Sequence, residues 1–167
     1  MPNWCTGNIR LRGTGSAIKE FLKNEIVVTG YGKGLTGEVS EKKPDIEDDD
    51  YAFILSLPEE TKGWIFVSFY IRGTRRNFID GKTIEIYMDN GEKGTVCIDD
   101  IKAAWGFTPE PYIEKSKKYG LDIKIIGFEQ GMEVKQIIEI VSGELICFEE
   151  ISFEEWAWEC EMPNMGG

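Results

Sequence analysis

Arg72, Arg75 and Arg76, followed by Lys82, form the one basic concentration in a chain of net charge −11. Guanidinium groups at that density can clamp a phosphate or carboxylate through paired N–H donors. The bland alternative is neutralisation of neighbouring acids. Trp4, Trp64 and Trp105 each fall on or beside a strand-like segment. A buried indole needs a hydrogen-bond partner, and Asn3, Asn8 and Asn77 are the candidates. Trp4, Asn8, Arg72, Arg75, Arg76, Asn77 and Trp105 are therefore the candidate binding residues, with the loop from Gly73 to Asn77 as the rim of a tryptophan-walled pocket. The competing reading is a core cluster with satisfied indoles. RNA-recognition modules also carry aromatics on a sheet beside basic loops. This chain lacks their aromatic motif, and its overall field opposes nucleic acid.

The segment from Phe148 to Glu159 mixes carboxylates with large aromatics, Trp156 and Trp158 among them. It reads as a docking strip for a basic, apolar partner, or as an edge strand guarded by glutamates. Pro2 would become a secondary amine if Met1 were removed, a possible base or nucleophile without a visible second group. The run Glu47-Asp48-Asp49-Asp50 lacks calcium-loop spacing and reads as solvated. The four cysteines (Cys5, Cys97, Cys147 and Cys160) lack paired zinc spacing and read as free thiols. Histidine is absent, which excludes Ser-His-Asp and Cys-His catalysis and imidazole-held metals. No catalytic residue, metal site or cofactor is assigned.

These residues need a scaffold. With 167 residues, 41% of them hydrophobic, the chain suffices for one domain over 1–167. The spacing predicts a strand from Asn3 to Arg12, a helix from Ser16 to Asn24 capped by Ser16, and a short strand at Ile26 to Val28. Residues 30–50 are glycine-rich, then acidic, and predict a long mobile loop. A buried segment at Ala52–Pro58 and a strand at Trp64–Ile71 follow. Asn90-Gly91 suggests a hairpin between Thr83–Met88 and Thr95–Ala104. Pro109 and Pro111 open a helix that Gly120 closes. Strands at Leu121–Phe128, Val134–Val141 and Leu145–Phe148, a last strand at Ile151–Cys160, and a loose tail at 162–167 complete the reading. The order predicts an α+β ferredoxin-like sandwich: an antiparallel sheet with two helices on one face, a long insertion after the first helix, and a C-terminal β-meander.

Met1-Pro2-Asn3-Trp4-Cys5, with Asn8 and the alternating strand behind it, resembles the start of the YubB-like ferredoxin-like family. Ile54-Leu55-Ser56-Leu57-Pro58-Glu59-Glu60, Gly73-Thr74-Arg75-Arg76-Asn77, Ala104-Trp105-Gly106-Phe107-Thr108-Pro109 and Glu129-Gln130-Gly131 are similar to later stretches of that family. Two places depart from the pattern: Arg76 stands where an aromatic is usual, and Gly106-Phe107-Thr108 precede Pro109. The resemblance implies a protein of unknown function carried by a phage, conjugative plasmid or integrative element, and brings no catalytic residues.

The absence of an apolar run of about 18 residues, or of a basic-then-apolar leader, predicts a cytoplasmic protein without a membrane span. The acidic surface points to a protein partner with a basic surface and away from nucleic acid and anionic membranes. The leading expectation is a non-enzymatic protein-interaction module. The alternatives are a small enzyme or ligand-binding domain with a Trp-lined pocket, and a single-strand nucleic-acid binder.

Overall fold

The computed structural model describes residues 3–31 and 39–167; Pro2 and its proposed amine lie outside them. Alternation sets β1 (Trp4–Thr14), which buries Cys5, Ile9 and Leu11 on one side and turns Asn8, Arg10 and Arg12 to the other. The helix α1 (Gly15–Glu25) buries Ile18, Phe21 and Leu22. Its cap is Thr14, whose Oγ1 accepts the Ala17 N–H at 3.3 Å, rather than Ser16. The amides of Gly15 and Ser16 are taken by the carbonyls of Glu92 and Asn90, which pulls the helix start back.

β2 (Ile26–Tyr31) follows α1 directly. Of the stretch read as a loop, residues 32–38 lie outside the described residues. The remainder corrects the expectation: β3 (Val39–Lys42) pairs with β2, and β4 (Asp45–Asp48) pairs with β5 (Ala52–Ser56). The acidic run is held because Lys19 and Lys23 of α1 reach Asp48 at 3.1 and 2.6 Å. β6 (Ile65–Ile71), β7 (Asn77–Ile79), β8 (Thr83–Tyr87) and β9 (Lys93–Ala104) come next. The expected hairpin around Asn90-Gly91 is also corrected. β8 pairs with β5, whereas β9 pairs with β1 and β7, so the two lie in different sheets. The link between them caps α1 instead.

The helix α2 (Glu110–Tyr119) ends at left-handed Gly120, φ 64°. β10 (Asp122–Glu129), β11 (Val134–Val141) and β12 (Glu144–Ser152) then pair in sequence, all antiparallel. The last expected strand is a short helix, α3 (Trp156–Glu159). Trp156 and Cys160, four residues apart, are buried, while Trp158 between them is 83% exposed, so helical spacing sorts inside from outside. The stretch read as a loose tail also has contacts. Met165 packs on the Phe128–Trp156–Cys160 cluster, and the Gly167 N–H donates to the Trp4 carbonyl at 3.1 Å.

The large sheet runs β12-β11-β10-β1-β9-β7-β6-β2-β3, and a second sheet runs β4-β5-β8. The ferredoxin-like α+β sandwich expected from sequence is therefore incorrect: the described residues are 52% strand and 18% helix, with nine strands in the main sheet and three short helices among them. The segments read as insertion or loop supply the extra strands. The α1 and α2 faces share one core with Phe53, Leu55, Ile84 and Ile86 of the small sheet and with Cys5, Ile9, Leu11, Ile123, Ile125 and Ile138 of the large one. On the opposite face of the large sheet, α3 covers Phe128 and Ile126. No helix among the described residues is long and apolar enough to cross a membrane.

Candidate functional site at the Trp4–Trp105 corner

Adjacency of β1 and β9 places Trp4 opposite Ala104, with Trp105 the next residue. The Trp105 amide donates to the Asn3 carbonyl at 2.9 Å. Arg76, at the entry to β7, accepts the Ala104 amide on its own carbonyl at 3.4 Å. Three separate segments thus converge at one end of the sheet's central strands.

The guanidinium of Arg76 lies 5.5 Å from the Trp4 ring centre and 5.7 Å from that of Trp105. Arg75 stands 5.4 Å from the Trp105 ring, and the Lys102 ammonium 5.4 Å from Trp4. Phe78 meets Trp4 edge-on at 6.0 Å, and Tyr70 packs on Phe78 at 5.5 Å. Each half-exposed cation–ring contact contributes about 0.5–1 kcal/mol. Arg76 (φ 54°) and Trp105 (φ 59°) both hold left-handed backbone. For residues other than glycine this costs on the order of 1 kcal/mol each, and such strain concentrates where structure serves a site. Trp105 remains 57% exposed.

A cleft of about 340 Å³ opens beside this corner, lined by Trp4, Tyr31, Phe66, Arg76, Phe78 and Lys102. Lys102 is neutralised by Asp80. Among the described residues, Arg12 and Arg72 are the arginines with carboxylate partners, so Arg75 and Arg76 keep their charge facing the corner. The Arg76 guanidinium lies within reach of both indoles, and no carboxylate among the described residues takes its N–H donors.

The candidate residues divide. Trp4, Arg75, Arg76 and Trp105 are brought together. Arg72 is not, because it pairs with Glu41 on β3. Asn77 is buried and donates its amide to the Tyr112 hydroxyl at 2.7 Å, a core role that leaves it no indole to serve. Burial of Tyr112 pushes its phenol above the ordinary range, keeping it a neutral acceptor. Asn8 faces away from the helices, opposite the irregularity where β9 carries one extra residue against β1, and its buried Oδ1 lacks a partner among the described residues. Trp64 packs near Gly30, and Lys82 lines a separate cleft with Leu57 and Thr61. Trp156 is committed to the small cluster under α3, its indole donating to the Pro163 carbonyl at 2.8 Å, while Trp158 is exposed. Sequence reasoning missed Lys102, Phe78 and Tyr70. They share the Trp4 face only through the register of β1, β9, β7 and β6, which residue types alone do not carry.

All four cysteines are free thiols. Burial, then the nearby charges of Glu129 and Glu150, push the Cys5 thiol up to about 12, so it stays protonated and unreactive at neutral pH.

None of the family models, curated proteins or solved structures compared with this chain matches it.

Proposed function

We propose that this protein is a non-enzymatic binding module whose Trp4–Arg76–Trp105 corner holds an anionic ligand with a flat or apolar body. One observation carries the reading: an arginine without a carboxylate partner among the described residues is wedged between two tryptophans, on a chain with eleven surplus negative charges. A carboxylate or phosphate would take the Arg76 and Arg75 N–H groups, and its body would lie in the aromatic cleft. Cations already stand over both indoles, which leaves poor platforms for stacked bases and disfavours the single-strand nucleic-acid reading. The test is titration with phenyl phosphate as probe, followed by the indole N–H resonances. Saturable shifts at Trp4 and Trp105, with Trp64 unmoved, support the proposal; no shift, or equal shifts at all indoles, count against it.

A second reading, docking on a partner with a basic surface, is favoured by β12. This outermost strand exposes Leu145, Ile146, Phe148 and Ile151 beside Glu144, Glu149 and Glu150. An exposed strand edge of that composition suits an added basic strand. Salt-sensitive capture of a basic protein that disappears in a Glu149→Lys, Glu150→Lys double variant is the expected result. Capture indifferent to both salt and charge reversal would reject it.

A further inference from the structure

On the other side of Trp105 lies a second cleft, of about 300 Å³, lined by Cys5, Glu129, Met132, Gln136 and Glu150 as well as Trp105 itself. Its polar groups form an ordered set. The Gln136 oxygen accepts the Phe107 amide at 2.8 Å and faces the Cys5 thiol at 3.8 Å. That fixes the Gln136 side chain so that its NH2 donates to Glu150 at 2.8 Å. Glu129 is only 6% exposed. One of its oxygens accepts the Gly131 amide at 2.9 Å, and the other, Oε2, is buried without a partner among the described residues.

The Phe107, Gly131 and Gln136 donors recorded here are engaged within the fold, while Glu129 Oε2 is left without a partner among the described residues. Lys135, on the neighbouring strand, is paired with Glu161 and does not neutralise Glu129 or Glu150. A buried carboxylate with an orphaned oxygen is expensive unless a cation or donor reaches it. We infer that this cleft is a binding site for an organic cation, an ammonium or guanidinium group, held by Glu129 and Glu150 against Trp105. A metal fits less well. No group of three or more acidic or thiol ligands converges among the described residues, and the Cys5 thiol is protonated. The cation has two possible sources, a free amine or guanidine and a Lys or Arg side chain of another protein. The inference rests on Glu129 and Glu150 rather than on the anion reading, although the two clefts share Trp105.

Calorimetric titration with L-arginine methyl ester and, separately, with the peptide Gly-Arg-Gly tests it. Binding of at least one probe with a dissociation constant below about 1 mM is expected. Binding of the ester alone identifies a free small cation as the source, and binding of the peptide alone a protein side chain. Glu129→Gln should weaken binding at least tenfold while Arg72→Ala, whose side chain pairs with Glu41 away from the cleft, leaves it unchanged. Glu129→Gln should also raise the melting temperature, because it removes a buried unpaired charge. Two results would overturn the inference. One is that neither probe binds; the other is that Glu129→Gln lowers the melting temperature, which would mean the carboxylate is already satisfied within the fold.

Discussion

Arg76 shows how two small energies balance at one position. Its left-handed backbone costs on the order of 1 kcal/mol, and its two indole contacts return about the same. Replacing it by glycine relieves the strain and removes the contacts together. Arg76→Gly should therefore leave folding stability within about 1 kcal/mol of the parent, read by urea denaturation, while removing anion binding. A loss of several kcal/mol would show that the side chain is structural. Residue type singled out Trp4, Arg75, Arg76 and Trp105, and the fold brings these four together. Residue type was not enough for Asn77, whose amide is consumed by Tyr112, or Arg72, whose partner Glu41 sits 31 residues away. Nor could it show Glu129 as buried, since that depends on the Gly131 turn folding back beneath it.

At the scale of elements, α1 and α2 are locked by Glu25. Its carboxylate accepts from Lys118 at 2.8 Å and Tyr119 at 2.6 Å, and pairs with Lys115 at 3.1 Å. Burial alone would raise its pKa, but these donors overcome burial and bring it from 4.5 to about 2. A depressed folded value means the stabilisation is complete above about pH 4.5 and is lost as pH falls toward 2. Asp48, held low chiefly by its hydrogen bond from Lys23, acts in the same direction. Glu25→Gln should cost about 2 kcal/mol at neutral pH, at the low end for a buried pair because Lys118 is exposed, and should flatten the acid limb of a stability-versus-pH curve. An unchanged acid limb would place the sensitivity elsewhere. Elements with strong local signals were legible: the alternation of β1, the proline and glycine bounds of α2, the β10 and β11 strands. β8 and β9 misled because Asn90-Gly91 is a local hairpin signal, and the decision was made by a long-range partner. β9 gains a full-length neighbour in β1, and β5 claims β8. β4 misled for the same reason, since its Asp48 is matched by Lys19 and Lys23 on α1.

For the molecule as a whole, the nine-stranded sheet has one face packed under α1 and α2 and another partly open, and the site lies at one end of the central strands β1, β9 and β7. Composition showed the sign of the global field but not its local reversal at Arg75 and Arg76. The strand order, which overturned the ferredoxin-like expectation, depends on pairings between residues far apart in sequence, such as Trp4 with Ala104, for which periodicity has no memory. The central claim is that this reversal is a ligand site rather than residual surface charge. Calorimetric titration of phenyl phosphate into the parent, Arg76→Ala and Arg72→Ala chains tests it most directly. The account predicts saturable binding to the parent, retention in Arg72→Ala, and at least tenfold weakening in Arg76→Ala. Equal affinity in all three, or no binding to the parent, would contradict it.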